Sequence, residues 1–94
     1  MNNTEKFNKV KKLIKKYGGD DVRICNRKHK KYDVLYKNNW ISFGDNRYED
    51  WLDHHNPKRR INYRKRAKGL RDGKGNLTYN NPYSANYWSY NILW

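Results

Sequence analysis

A chain of 94 residues with 35% hydrophobic and 33% charged side chains has room for one small domain and little aliphatic core. Its formal net charge of +13 is unevenly laid out: residues 1–31 hold eleven Lys/Arg and three acids, residues 32–57 two and five, and residues 58–94 nine and one. Charge on that scale resists compaction unless a polyanion or an acidic partner absorbs it, while the single cysteine, Cys25, excludes an internal disulfide and a disulfide-stapled secreted fold.

Thr4 to Tyr17 reads as an amphipathic helix, because Phe7, Val10, Leu13, Ile14 and Tyr17 recur at helical spacing. Thr4 is placed to cap its start and Gly18 to take the left-handed position after its end. Lys9, Lys11, Lys12, Lys15 and Lys16 cover the remaining surface and crowd toward the C-terminal turns, where they suit the helix dipole. A solvated lysine face is the plainest reading, and the same face would suit a membrane surface or DNA. The N-terminal stretch has no uninterrupted apolar run, and no window approaches the roughly 18 apolar residues of a membrane span. A soluble protein without a signal peptide, in a reducing compartment, is expected.

Gly18-Gly19-Asp20-Asp21 signals a turn, and VRICNRK at 22–28 reads as extended. KYDVLYK alternates, with Tyr32, Val34 and Tyr36 on one face. Asn38-Asn39 is the expected two-residue hairpin turn, since Asn tolerates positive φ, and WISFG follows as the next strand. That turn sets Tyr36 opposite Ile41, Val34 opposite Phe43, and Lys37 beside Trp40 for a cation-π contact. A loop of His29, Lys30 and Lys31 would pair Arg27 with Asp33 and put Val22 and Ile24 on the apolar face. Residues 22–44 are thus expected to form a three-stranded antiparallel meander, with the N-terminal helix a candidate to cover its apolar face.

RYEDWLDHH sets the acids Glu49, Asp50 and Asp53 among the anchors Tyr48, Trp51 and Leu52, as a short helix or an ordered loop. Asn56-Pro57 pairs a capping residue with proline at the first helical position, opening a basic helix over 57–70 with Tyr63, Ala67 and Leu70 as a narrow buried stripe. Lys58, Arg59 and Arg60 occupy its first turn, the unfavourable end of the dipole for cations. Either the acids just upstream neutralise them or phosphate does. Residues 71–82 are Gly- and Asn-rich and read as a loop, with Asp72-Gly73 a turn and no phosphate-binding loop signature. Ser84 is placed to cap a short aromatic helix within 83–94, with Tyr87, Tyr90 and Trp94 on one side and Trp88 and Ile92 on another. Four Trp, nine Tyr and two Phe point to a core built mainly of rings, each enclosing on the order of 150–250 Å².

Cys25, His29, His54 and His55 are metal-ligating types, but a mid-strand cysteine, a loop histidine and two adjacent histidines that point apart do not converge, so no metal site is expected. Nor do they supply an oriented Cys-His nucleophile, and Glu49, Asp50 and Asp53 serve more simply as salt-bridge partners than as an acid-base pair. No enzyme activity, cofactor or small-molecule substrate is expected. Basic residues interleaved with aromatics occur in RKHKKYDVLYKNNW and KRRINYRKRAK, which combines phosphate neutralisation with rings able to stack on unpaired bases. The candidate nucleic-acid contacts are Lys30, Lys31, Lys58, Arg59, Arg60, Arg64, Lys65, Arg66 and Lys68. With no helix-turn-helix, zinc-finger, RRM or KH signature, such binding would not be sequence-specific.

The segments KNNWISFGDNRYEDW, DHHNPKRRINYRKRAKG and NPYSANYWSYNILW resemble the successive motifs of a family of small basic uncharacterised proteins encoded by large double-stranded DNA viruses of eukaryotes, the giant-virus group. The resemblance spans roughly residues 32–94 and leaves the N-terminal helix outside it. Where that family's basic helix usually ends in Arg-His-Gly, this chain has Ala67-Lys68-Gly69, so no role of that histidine carries over. The resemblance implies a viral protein packaged in the virion and present in the host cytoplasm or viral factory during infection. It would travel with the genome or serve as a minor capsid component. In the second case its basic blocks would meet acidic capsid proteins, and Tyr83, Tyr87, Trp88, Tyr90 and Trp94 would form a docking segment. The favoured reading is a non-enzymatic α+β domain over 1–94 that binds nucleic acid, DNA first, through its basic surface.

Overall fold

A computed structural model describes residues 2–94. Helix α1, Asn3–Lys16, is capped by Asn2, whose side chain accepts a hydrogen bond from the Glu5 N–H, so the helix starts a turn's fraction earlier than a Thr4 cap would allow. Asn caps as well as Thr, and starting there brings Glu5 into the first turn, where its charge suits the dipole. Gly18 takes a φ of 95° beyond its end, as expected. Val10 and Ile14 are fully buried, with Phe7, Leu13 and Tyr17 packed around them.

Strands β1 (Asp21–Ile24), β2 (Tyr32–Tyr36) and β3 (Asn39–Phe43) form an antiparallel sheet in the order β1-β2-β3. This is the expected meander, with both hairpins in a different register. The second turn is Lys37-Asn38, at φ 45° and 66°, so Val34 pairs with Ile41 and Tyr32 with Phe43. In the first hairpin Arg23, not Arg27, pairs with Asp33. Pairing Arg27 with Asp33 would have set polar Asn26 opposite Val34 in the core; the observed register sets Val22 there. Both slips are by an even number of residues in the pairing, so every side chain keeps its expected face. Ile24 shares the apolar face but stays 67% exposed at the end of β1. Trp40 receives the Arg23 guanidinium, 3.9 Å from its ring centre, while Lys37 lies over Tyr36 instead.

Val22, Tyr32, Val34 and Phe43 form the buried face of the sheet, and α1 packs on it beside the C-terminal segment. Gly19 is where α1 turns into the sheet: a Cβ there would collide with the Ile14 side chain and press on Val34. Helix α2, Trp51–His54, is closed by a reciprocal cap, with Asp50 accepting from the first-turn backbone and the Asp53 carboxylate accepting from the Asp50 N–H. His55, at φ 51°, ends it. Helix α3, Pro57–Gly69, opens at Asn56, whose side chain accepts from Lys58 N and Arg59 N. Residues 70–82 are an ordered turn region, in which the Asp72 carboxylate accepts from Lys74 N and Asn76 N and Arg71 bridges to Leu77. Helix α4, Ala85–Trp88, capped by Ser84, runs on into a π-helical turn, Ser89–Leu93.

That last segment is core rather than a docking peptide. Trp88, Ile92 and Leu93 are buried to 2% or less, and Tyr90 is buried with them. Tyr87 donates its hydroxyl to Tyr17 O, Trp88 donates its indole N–H to Pro82 O, and Trp94 stacks on Tyr63 with ring centres 4.2 Å apart. Tyr83 alone of the five docking candidates is exposed, its edge against Tyr36. The sheet and α1 present more apolar surface than the few aliphatic side chains can cover, and these rings are the material that covers it. The fold is a small α+β arrangement, and among the described residues no helix is long and apolar enough to cross a membrane.

Candidate nucleic-acid interface

The inward face of α3 holds Arg60, Tyr63, Arg64 and Ala67, which helical spacing puts on one side. Arg60 donates from Nε to Trp94 O at 2.6 Å and lies 4.6 Å over the Trp51 ring. Arg64 donates to Tyr90 O at 3.4 Å and covers the Tyr90 ring at 4.1 Å. Two arginines expected to reach nucleic acid are therefore held against the C-terminal segment. There they satisfy carbonyls near the end of a helical stretch, where acceptors lack intrahelical partners. Leu70, expected in the buried stripe, is exposed because the chain leaves the helix at that point.

Lys31 is withdrawn from the surface as well. Its Nζ lies 2.6 Å from Asp50 Oδ2, with only 11% of the side chain exposed. The same carboxylate oxygen accepts from Lys6 of α1 at 2.9 Å, and Lys6 also reaches Asp53 at 2.9 Å. Burial opposes the charge on Lys6, but the hydrogen bonds to Asp53 and Asp50 outweigh it and raise its pKa above the usual lysine value. Asp53 is pushed up by burial and held, on balance, below the ordinary carboxylate range by the hydrogen bonds from Lys6 and from the Asp50 N–H. Asp50 and Asp53, two of the three acids that the sequence offered to the first turn of α3, thus neutralise Lys6 and Lys31 instead, while Glu49 forms no ion pair among the described residues. Lys58, Arg59 and Arg60 form no ion pair with a carboxylate among the described residues.

Lys58, Arg59, Lys65, Arg66 and Lys68 remain exposed on α3, and Lys30 on the loop before β2. Three of these, Lys30, Arg59 and Arg66, meet around a cavity of about 700 Å³ between α3 and the segment that joins β3 to α2. Its walls carry Tyr48, Asn62 and Tyr63. Lys58, Lys65 and Lys68 lie on α3 outside it. Asn62 and Tyr48 were not candidates from the sequence. Asn62 follows Arg59 by three and precedes Arg66 by four, so helical spacing alone puts the three on one face. Tyr48 read as an anchor, yet it is 65% exposed beside Arg47.

The metal-ligating types stay apart. Cys25 is buried and bonds Ser42 on the sheet's outer face, where Ser42 in turn donates to Asp33. His54 accepts from Asn56 N through Nδ1, packs on Trp94, and has an unpartnered, buried Nε2. No group of three or more His, Cys, Asp or Glu among the described residues is placed to hold a metal ion.

Compared with known proteins, no curated protein and no solved structure matches the chain. A family model does, over residues 21–67, which takes in the whole sheet, the acidic segment, α2 and most of α3. The match covers half of the chain, and the protein belongs to DUF5754, a family of unknown function.

Proposed function

We propose that this protein is a non-enzymatic nucleic-acid-binding protein that grips the phosphate backbone without reading sequence. One observation carries the reading: Asp50 and Asp53, two of the three acids just upstream of α3, are occupied by Lys6 and Lys31, and Lys58 and Arg59 are exposed and make no ion pair among the described residues. Cations at a helix N-terminus work against the dipole, so local stability gives no reason for them. Phosphate does. Lys65, Arg66, Lys68 and Lys30 extend the same positive surface, whereas Lys31, Arg60 and Arg64 belong to the scaffold that holds it. The resemblance of residues 32–94 to small basic proteins of large double-stranded DNA viruses supports a viral genome as the polyanion and the virion as the location.

Anisotropy titrations of labelled random-sequence DNA over a range of salt test this. Log affinity should fall linearly with log salt, with a slope of about −0.9 per duplex phosphate neutralised. Replacing Lys58, Arg59, Lys65 or Lys68 singly by Ala should reduce that slope by about one each, equally for every sequence tried. Absence of binding at about 50 mM salt refutes the proposal.

A further inference from the structure

Resting on that reading, we infer that the cavity between α3 and the β3–α2 segment receives an unpaired base, so that single-stranded nucleic acid is preferred to duplex. At about 700 Å³ the cavity falls within the size range of small-molecule sites, roughly 300–1,000 Å³. Its wall includes Tyr48, whose largely exposed ring has no aromatic partner among the described residues. Tyr63, on the opposite helix, is held by Trp94, which also lines the cavity and lies nearly parallel to the tyrosine ring at an interplanar angle of 9°. One adaptable ring and one fixed ring facing a common space make a stacking platform, and base-aromatic stacking tolerates any sequence.

The charges around the cavity point the same way. Lys31 is spent on Asp50, and Asp45 on Arg47, which donates to it from both Nε and Nη2. What faces the opening is Lys30, Arg59 and Arg66 against Glu49 alone. That excess suits the phosphates on either side of an inserted nucleotide. Polar groups line it: Asn62 is exposed, and Asn86, whose amide N–H groups bond Ala67 O and Thr78 Oγ1, has no donor to its Oδ1 among the described residues. A base held in a duplex cannot enter such a cleft, because its edge is paired and both its faces are stacked. A strand with free bases can.

The test compares a labelled mixed-sequence 20-mer with its own duplex at the same salt, using the full chain. The single strand should bind about tenfold more tightly. Tyr48→Ala should remove most of that advantage and leave duplex affinity within about twofold, while Tyr48→Phe, which keeps the ring, should retain it. Equal affinity for the two forms, or an advantage untouched by Tyr48→Ala, overturns the inference and leaves backbone binding standing. Binding to neither form overturns the reading on which it rests. Loss of the preference in Tyr48→Phe as well overturns stacking as its cause.

Discussion

Asp50 serves three donors with one carboxylate: Oδ1 accepts from Leu52 N to start α2, and Oδ2 accepts from Lys6 and Lys31. It is only 1% exposed, so its charge is balanced by those lysines and not by water. A buried ion pair adds little over an apolar substitute, but removing one partner strands the others. Asp50→Asn keeps a capping side chain and deletes the charge, leaving two lysines to share Asp53. The expected loss is about 3–5 kcal/mol, read as a lowered urea midpoint. Asp53→Asn, at a side chain 31% exposed, should cost about 1 kcal/mol. Equal costs for the two variants would mean that the cluster is effectively solvated. The sequence contains part of this arrangement. Lys6, Val10 and Ile14 stand four apart, which puts Lys6 on the buried face of α1, but only a carboxylate from 44 residues away makes a buried lysine acceptable there. Arg60 and Arg64 read as nucleic-acid contacts for the same reason: their spacing with Tyr63 and Ala67 is that of a buried stripe, but only the partner carbonyls make burial of arginine acceptable.

At the scale of elements, faces were legible and registers were not. Alternation in KYDVLYK and WISFG assigns every side chain to its side of the sheet, because a two-residue slip changes no face. Local propensity favours Asn38-Asn39 as the turn, yet the chain turns at Lys37-Asn38. In the observed register Asp33 lies opposite Ser42, which donates to it at 2.7 Å, and Arg23 reaches the same carboxylate at 3.0 Å. Under the expected register Asp33 would have faced Gly44 and lost that bond. Tertiary hydrogen bonding thus overrides turn propensity and leaves Lys37 in the left-handed region at φ 45°. A side chain other than Gly, Asn or Asp costs roughly 1–2 kcal/mol in that region. Lys37→Asn combined with Asn38→Gly installs the preferred pair for this turn and should stabilise by about 1 kcal/mol. An unchanged denaturant slope would show that the gain lies in the turn and not in a more compact unfolded state. The cavity was illegible for a related reason: Lys30, Tyr48 and Arg66 come from three separate segments, and nothing local reports that they meet.

At the scale of the whole molecule the question is how a +13 chain holds together. Among the described residues, four of the 22 lysines and arginines, Lys6, Arg23, Lys31 and Arg47, are ion-paired, so most of the repulsion is left to the solvent and its salt. Acid should therefore act twice. Asp33 is pushed up by burial, but hydrogen bonds from Cys25, Ser42 and Arg23 hold it below the ordinary carboxylate range, and Asp53 is held low likewise. A carboxyl that binds its proton more weakly when folded adds stability above its unfolded pKa near 4, and that contribution disappears as pH falls through the folded value. Over the same interval the protonation of carboxylates raises the net charge and with it the repulsion. Lys6 carries the opposite sign: with its pKa raised, its contribution holds up to about pH 10.5 and is lost above. Melting temperature should accordingly be level from about pH 5 to 10 and drop on both sides. The acid drop separates into its causes with salt, since about 0.5 M NaCl shortens the screening length to roughly 4 Å and suppresses long-range repulsion while leaving contact pairs largely intact. The fall that survives high salt belongs to the carboxyls held low by contact, Asp33 and Asp53 together with Asp45 beside Arg47 and Asp72 in its turn, and Asp33→Asn should make it shallower. If high salt abolishes the acid drop entirely, repulsion alone governs it, and these carboxylates contribute nothing measurable to the fold.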